Sequence, residues 1–216
     1  DLRRVGEIYS HHNDDFSAEG YQQTTSGRGD AVDQPQMFEV GVTSPWTFQH
    51  AWAKGHQIGV TAGSDNHLGT PGLDNYAPTV PHHSGLSVVL ATALTRAAVF
   101  EALSSRRCYA TTGARILLDA SVAGEAMGAE FYRPYNSAVP ISVEVEGTAP
   151  LSAVEVVKLV DGTFVTTRSA NLDGRATSAR LAFSERLDAA TIYYVRVRQA
   201  DGEMAWSSPF WVNVTF

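Results

Sequence analysis

The chain has 216 residues, with 16 basic and 23 acidic side chains and a formal net charge of −7. This balance excludes a protein that binds nucleic acid by broad phosphate neutralisation, because such binding needs a surplus of Lys and Arg. Hydrophobic residues make up 44% of the chain and aromatic residues 10%, which is enough to build a core and excludes a disordered protein. All seven histidines lie between residues 11 and 83, and this uneven distribution indicates two regions with different roles.

Cysteine content and hydropathy further limit the classes of protein to which this chain could belong. Cys108 is the only cysteine, so we expect neither a disulfide framework nor a cysteine-based zinc site. The longest apolar run, residues 86–94, is well short of the roughly 20 residues that span a bilayer, so no membrane insertion is predicted. The first residues do not have the basic and apolar regions of a signal peptide. Both cytoplasm and periplasm fit this composition, so the compartment is left unassigned.

The first region alternates between strand and helix patterns. In chain order these are a strand at 5–10, a helix at 45–54, a strand at 57–62, an apolar stretch at 86–93 and a helix that starts at Thr95. Polar loops rich in Gly, Ser, Asp and Asn separate them, and the longest loop covers residues 11–36. The alternation predicts an α/β architecture with parallel strands for residues 1–113.

The second region is dominated by β-branched and aromatic residues. Predicted strands lie at 116–122, 138–145, 154–160, 163–169, 179–183, 192–199 and 206–214. Asp-Gly pairs punctuate them as turns. The spacing predicts an antiparallel β-sandwich for residues 114–216, so the expected fold class is α/β followed by an all-β sandwich.

One short motif carries candidate chemistry. Gly63-Ser64-Asp65-Asn66-His67 follows a predicted parallel strand, where α/β folds collect their functional side chains. Asp65 and His67 are two residues apart and point the same way on an extended backbone. A carboxylate and an imidazole placed so can bind Zn, Mn or Fe. Ser, Asp and Asn are also common in turns, so the spacing alone leaves a plain turn equally open.

Five stretches together resemble a known family. They are residues 55–67, the segment Val-Gly-Glu-Ile-Tyr-Ser at 5–10 with His12, Tyr-Ala-Thr-Thr-Gly at 109–113, Gly-Glu-Ala-Met-Gly at 124–128, and residues 194–209. In this order they resemble the PHP (polymerase and histidinol phosphatase) superfamily. More narrowly, they are similar to proteins grouped as DUF3604, which are related to a carbaryl-hydrolysing branch.

The resemblance implies a fold, a metal centre and roles for four residues. PHP proteins are distorted (βα)7 barrels with up to three metals at the strand ends, so residues 1–113 would form the last strands of such a barrel. Asp65 and His67 match the closing Asp-x-His pair and would be metal ligands. Glu7 matches a strand-end acid at the edge of the site, and His12 matches a histidine of the same segment. These two are therefore the catalytic candidates.

The chain departs from the family pattern in one important way. It contains no His-x-His motif, which supplies the first ligands of PHP proteins, and no candidates for the middle ligands. A catalytic zinc usually needs three protein ligands and an open position. We therefore expect the C-terminal portion of a metal-dependent hydrolase with a small-molecule substrate. The intact protein would cleave an ester, amide or phosphoester with metal-bound hydroxide at a multinuclear Zn, Mn or Fe site.

Part of a barrel exposes strand edges and apolar surface. The chain is therefore expected to associate with a second copy or with an N-terminal half of the same protein.

A second hypothesis assigns the chain a non-catalytic function. The β-sandwich could be a non-catalytic module that binds carbohydrate or a partner, with a degenerate PHP remnant attached. It could also be a structural brace. Several other residues favour structural roles: His50 and His56 near a helix end, Cys108 as a buried small residue, and Trp206 as a packing anchor. Metal content would separate the hydrolase from the binding module.

Overall fold

The computed structural model describes residues 4–9, 48–64, 84–172 and 174–216. Of the predicted site residues, Glu7 lies within these ranges, whereas His12, Asp65 and His67 lie outside them. The two described helices are α1 (Phe48–Ala53) and α2 (Arg96–Ser104). The described strands are β1 (Val5–Tyr9), β2 (Gly59–Ala62), β3 (Leu86–Val89), β4 (Cys108–Thr111), β5 (Leu117–Val122), β6 (Glu125–Ala126), β7 (Glu130–Pro134), β8 (Ala138–Glu146), β9 (Leu151–Val160), β10 (Thr163–Asn171), β11 (Ser178–Arg186), β12 (Thr191–Gln199), β13 (Met204–Ser207) and β14 (Phe210–Thr215).

Two mainly antiparallel sheets form the predicted β-sandwich. The small sheet has the order β11-β8-β5-β6. The large sheet has the order β10-β9-β12-β13-β4-β3, and β14 pairs with both β12 and β7. Among the described strands of these two sheets, β14 and β7 form the only parallel pair.

Alternating side chains hold the two sheets together. On β8, Val139, Ile141, Val143 and Val145 are buried and their neighbours face outward. They join a core cluster with buried residues of the large sheet. Burial of each such side chain contributes about 1.5–3 kcal/mol, so strands with this period can fold only with that face inward.

The large sheet is covered on both faces, which β12 shows most clearly. Eight of its nine residues are buried. Tyr193, Val195 and Val197 face the sandwich core. Ile192 and Tyr194 face a second apolar cluster on the opposite side. A strand buried on both faces favours consecutive apolar residues rather than alternation, and residues 192–195 of this strand are such a run.

A third layer, made of β1, β2 and α1, forms the other side of that second cluster. β1 and β2 pair in parallel, with Val5 opposite Gly59 and Glu7 opposite Thr61, as the strand–helix alternation predicted. Trp52 of α1 is fully buried in the cluster. The parallel pair and its helix are therefore packed on the outer face of the large sheet.

The large sheet also contains strands from the region predicted to be α/β. β3 and β4 pair antiparallel with each other, and β4 pairs antiparallel with β13. Among the described strands of residues 1–113, the predicted parallel arrangement therefore holds only for β1 and β2. Hydrogen bonding of the sheet therefore continues across the boundary placed between residues 113 and 114, and that boundary stays a prediction. All four residues of β4 are buried, although no strand was predicted at this position.

The predicted strand at 206–214 is two strands, β13 and β14, separated by Ser208 and Pro209. Proline has no backbone N–H to donate to a sheet ladder, which accounts for the break. Within the ranges that the structure describes, no helix has the length and apolar character needed to cross a membrane.

Candidate functional site

The candidate site is the edge at which β1 and β2 both end. Because these strands are parallel, their carboxyl ends lie side by side, with Tyr9 opposite Ala62. The next residue, Gly63, donates its backbone N–H to the carbonyl of Tyr9 at 3.1 Å. The predicted ligands Asp65 and His67 follow Gly63 by two and four residues. The structure therefore describes the two strand ends that precede the motif, and the motif itself lies outside the described residues.

The carboxylate of Glu7 lies over the backbone of Gly63. Glu7 is an exposed residue in the middle of β1, and a Cβ on Gly63 would lie 2.6 Å from Glu7 Oε1. A side chain at residue 63 would therefore displace the carboxylate. Since glycine leaves this space empty, the acid lies directly against the end of β2.

Segment 85–87 holds the same strand end from the other side. The N–H of Gly85 donates to the carbonyl of Gly63 at 2.9 Å. The hydroxyl of Ser87 donates to the carbonyl of Ala62 at 2.7 Å and accepts from the N–H of Ala62 at 2.9 Å. The end of β2 is thus fixed between β1 and the strand β3 of the large sheet.

A second hydroxyl holds the beginning of β2. The N–H of Val60 donates to Ser208 Oγ at 3.0 Å, and this bond is buried. Cys108 Sγ lies 3.5 Å from the same hydroxyl. Burial raises the pKa of the Cys108 thiol, so the thiol stays protonated near neutral pH and is a packing residue, as predicted, rather than a nucleophile.

A second carboxylate, Glu203, lies on the large sheet at this edge. The hydrogen bonds through Ser208 and Ser87 place Val60 beside Cys108 and Ala62 beside Ala110. β2 and β4 therefore run in the same direction and end at the same side.

Thr112 directly follows β4. Its hydroxyl donates to Glu203 and accepts from the N–H of Met204 at 2.9 Å. Glu203 is 6% exposed. Sequence reasoning missed this acid, which follows an ordinary Asp-Gly turn and has no local motif.

The predicted ligand set is only partly within the described structure. Glu7 is the middle residue of β1, its carboxylate lies against Gly63, and its role stays a prediction. His12, Asp65 and His67 are outside the described residues, so their roles stay predictions. Among the described residues, no three His, Cys, Asp or Glu side chains form a group that could hold a metal ion. His50 and His56 are both exposed, at α1 and just beyond it.

Comparison with known families supports part of the resemblance. Residues 75–131 match the family described as a protein of unknown function, DUF3604. This range includes β3, α2, β4, β5 and β6, and so includes Gly85 and Ser87. The match agrees with the narrower of the two family resemblances seen in the sequence.

Three chlamydial proteins are similar to this chain. An uncharacterized protein of Chlamydia pneumoniae is 37% identical over 151 residues, which cover 64% of this chain and 24% of the relative. An uncharacterized protein of Chlamydia trachomatis serovar D is 30% identical over 160 residues, or 69% of this chain and 25% of the relative. An uncharacterized protein of Chlamydia muridarum is 32% identical over 141 residues, which cover 60% of this chain and 23% of the relative. The chain thus spans about a quarter of the length of these relatives.

Solved structures give weaker likenesses. The sulfur carrier protein SoxY from Chlorobium limicola f thiosulfatophilum superposes with a TM-score of 0.31 at 12% identity, covering 47% of this chain and 79% of that chain. A superoxide reductase (neelaredoxin) from Ignicoccus hospitalis T24K gives a TM-score of 0.32 at 15% identity, covering 45% and 80%. Superpositions of this extent carry no argument about fold or activity.

Proposed function

We propose that the chain is the C-terminal portion of a PHP-type metal-dependent hydrolase, which cleaves an ester, amide or phosphoester bond of a small molecule. In this proposal residues 1–113 contribute the last strands of the barrel and the β-sandwich supports them. The observation that carries it is the position of the Glu7 carboxylate against Gly63, where β1 and β2 end together and the Asp65-Asn66-His67 motif begins.

The donor chemistry at this edge fits a divalent cation. Glu7 offers an exposed side chain whose carboxylate lies against Gly63, just after the end of β2. Asp65 and His67 would add a carboxylate and an imidazole from the segment that leaves Gly63. Together they would supply three protein ligands of the kinds that Zn, Mn and Fe accept. Because the matched part of this chain covers only about a quarter of each relative, further ligands of a multinuclear centre could come from sequence outside it.

The residues of this chain would hold and orient the reactants. Divalent cations, when bound, lower the pKa of water and polarise the scissile group. Glu7 would then orient a water molecule or accept its proton at a carboxylate oxygen. His12 would contact the substrate. The buried side chains of Tyr9 and Trp206, which stack with ring centroids 6.4 Å apart, would exclude solvent beneath the site.

Metal content of the natural protein, with any sequence that flanks these 216 residues, tests the proposal. The protein would be stripped with chelator, reloaded with Zn or Mn and analysed by elemental mass spectrometry. We expect the variant that combines Asp65→Ala with His67→Ala to lose metal. A control that combines Asp161→Ala with His56→Ala should retain it. If the Asp65→Ala, His67→Ala double variant binds as much metal as wild type, the site assignment is overturned and a binding module is favoured.

Activity is tested separately on a panel of generic esters, amides and phosphoesters. Wild type should hydrolyse at least one class in a metal-dependent manner, and Glu7→Gln should lower kcat. A wild-type protein that holds metal tightly but hydrolyses none of the three classes would count against the hydrolase.

We also propose that the chain associates with a second copy or with an N-terminal half of the same protein. The support is that the matched part of the chain covers only about a quarter of each chlamydial relative. Light scattering of the 216-residue chain should show self-association, and a well-behaved monomer would contradict this proposal.

A further inference from the structure

We propose that Arg106 and Trp211 form a binding site for a small oxyanion with two negative charges, such as inorganic phosphate. The site lies at the beginning of β2, where the side chain of Arg106 packs against Gly59. Gly63, at the proposed hydrolase site, follows Gly59 by four residues, which is about 13 Å on an extended strand. The inference therefore goes beyond the proposed function and shares no residue with it.

The guanidinium of Arg106 is buried with part of its hydrogen-bonding capacity unused. The residue is 8% exposed, and its Nε–H donates to the carbonyl of Gly128 at 3.0 Å. Nη1 carries further N–H groups, yet among the described residues it has no hydrogen-bond partner. Buried polar groups are nearly always paired, and a charged donor is especially costly to leave unpaired. The guanidinium therefore lacks an acceptor.

A second unpaired donor lies beside the first. Arg106 Cζ lies over the ring of Trp211, 5.0 Å from its centroid. Trp211 is 5% exposed, and its Nε1–H also has no partner within the described part of the chain. A guanidinium that stacks on an aromatic face keeps its in-plane N–H groups available for the oxygens of a carboxylate or phosphate. The two side chains thus offer donors of the kind that oxyanions accept.

The surrounding backbone holds the guanidinium in this position. A Cβ on Gly59 would lie 2.9 Å from Arg106 Cβ, and a Cβ on Gly128 would lie 2.3 Å from the carbonyl oxygen of Arg106. Both glycines therefore permit the close approach of this arginine, and the carbonyl of Gly128 also fixes Nε. A guanidinium held in this way loses little freedom when an anion binds.

The position of Arg106 after α2 also indicates a use for its side chain. Its N–H donates to the carbonyl of Leu103 at 3.0 Å, and the N–H of Arg107 donates to the carbonyl of Ala102 at 2.8 Å. Helices that end with these two bonds usually have glycine here, because the residue needs a positive φ. The φ of Arg106 is 59°, a conformation that is less favourable for arginine than for glycine. The helix end alone would favour glycine, so the arginine points to a role of the guanidinium.

The charges around Arg106 favour an anion with two negative charges. Burial lowers the pKa of Arg106, and the positive charge of Arg4 lowers it further. Arg4 is exposed, so this side of the site faces solvent. Glu130 acts in the opposite direction, but it is exposed and its Oε1 accepts a hydrogen bond from Asn213 Nδ2 at 3.1 Å. A dianion would compensate both arginines, whereas a single carboxylate would compensate one.

Isothermal titration with inorganic phosphate tests the site in the natural protein, with any sequence that flanks these 216 residues. The protein is first stripped with chelator, because a bound metal would itself bind phosphate. Arg106→Gly removes the guanidinium and suits the positive φ, so the helix end should keep its form. Trp211→Phe keeps an aromatic ring beneath the guanidinium and removes the indole N–H. Arg107→Gln is the control, since Arg107 Nη1 donates to Glu101 instead, at 2.9 Å.

Wild type should bind phosphate, and Arg107→Gln should bind it equally well. Arg106→Gly should weaken binding by about 10-fold or more, and Trp211→Phe by about 2–10-fold. The proposal is overturned if wild type binds no phosphate, as it would if an acidic side chain of the protein itself filled the site. Equal binding by Arg106→Gly and wild type, or an equal loss in Arg107→Gln, would overturn it too. If circular dichroism shows that Arg106→Gly is unfolded, Trp211→Phe decides, and unchanged binding by that variant overturns the site.

Discussion

The carboxylate of Glu7 occupies the space that a side chain on Gly63 would need, with Oε1 2.6 Å from the position of a built Cβ. The two residues come from different parallel strands that end at one edge. Gly63 also makes backbone hydrogen bonds with Tyr9 and Gly85, and these bonds restrict movement of its backbone away from Glu7. Any side chain at residue 63 must therefore displace the Glu7 carboxylate, so substitution of Gly63 tests this contact.

Gly63→Ala is expected to weaken metal binding while costing little stability. Gly63 does not require a positive φ, so alanine fits its backbone, and the clash is with the movable end of the Glu7 side chain. Cobalt affinity of the variant, measured by titration, should fall about 10-fold or more. Urea unfolding should change by no more than about 1 kcal/mol.

A double-mutant cycle checks that Glu7 is the cause. In a Glu7→Ala background the carboxylate is absent, so adding Gly63→Ala should have almost no further effect on cobalt affinity. If the two substitutions are instead additive, the contact between these residues does not control the site.

Much of the fold could be predicted because its determinants are local. The predicted strand at 138–145 is β8, whose alternation matches its buried and exposed faces. Thr95 was predicted to start a helix. It is the N-cap of α2, and its hydroxyl accepts from the N–H of Ala98 at 3.2 Å. Such period and capping signals depend on residues within one or two turns of the chain.

The parts that escaped prediction depend on residues far apart in sequence. β4 is a strand because β3 and β13 lie on either side of it, and β13 is nearly 100 residues away along the chain. The Thr112–Glu203 hydrogen bond joins residues 91 positions apart. Neither has a local pattern, so the sequence predicted neither the strand β4 nor a role for Glu203. The metal ligands were named from a family motif rather than from geometry, and that assignment stays a prediction.

Trp52 should be the main anchor of α1 on the large sheet. Its ring is fully buried against Phe48, Phe164 and Tyr194, and its Nε1–H donates to the carbonyl of Ile58 at 2.8 Å. Trp52→Ala should lower the free energy of unfolding by about 3–5 kcal/mol in urea denaturation. Phe100→Ala is the control, since Phe100 is 73% exposed and its loss should cost under about 0.5 kcal/mol. Equal effects would mean that the helix is not docked as described.

Cys108 should react with a thiol reagent only after unfolding. The side chain is fully buried, and burial raises its pKa, so both access and the thiolate fraction are low. Titration with Ellman's reagent at pH 8 should release almost no chromophore from the native chain and one equivalent in guanidinium chloride. Because Cys108 is the single cysteine, rapid reaction of the native chain could have no other source and would refute its burial.

Glu185 should make the sandwich less stable in acid. This acid of the small sheet accepts hydrogen bonds from Thr167 and from Tyr193, the latter at 3.0 Å, and Lys158 Nζ lies 3.2 Å away. Burial by itself raises the pKa of Glu185, but the hydrogen bonds from Thr167 and Lys158 outweigh it, and the net pKa lies below the ordinary value of 4.5. A folded-state pKa below the unfolded value means that stability is present above pH 4.5 and is lost as pH falls through the folded value.

Glu185→Gln tests this linkage against the exposed pair on the same sheet. At pH 7 the variant should lose on the order of 1–3 kcal/mol of unfolding free energy, because the charged hydrogen bonds weaken. The difference from wild type should shrink as pH is lowered below 4.5, since protonation removes the same charge. Glu144→Gln removes the exposed partner of Arg180, 2.6 Å away, and should cost no more than about 1 kcal/mol. A pH-independent loss in Glu185→Gln would show that its charge does not stabilise the contact between the two sheets.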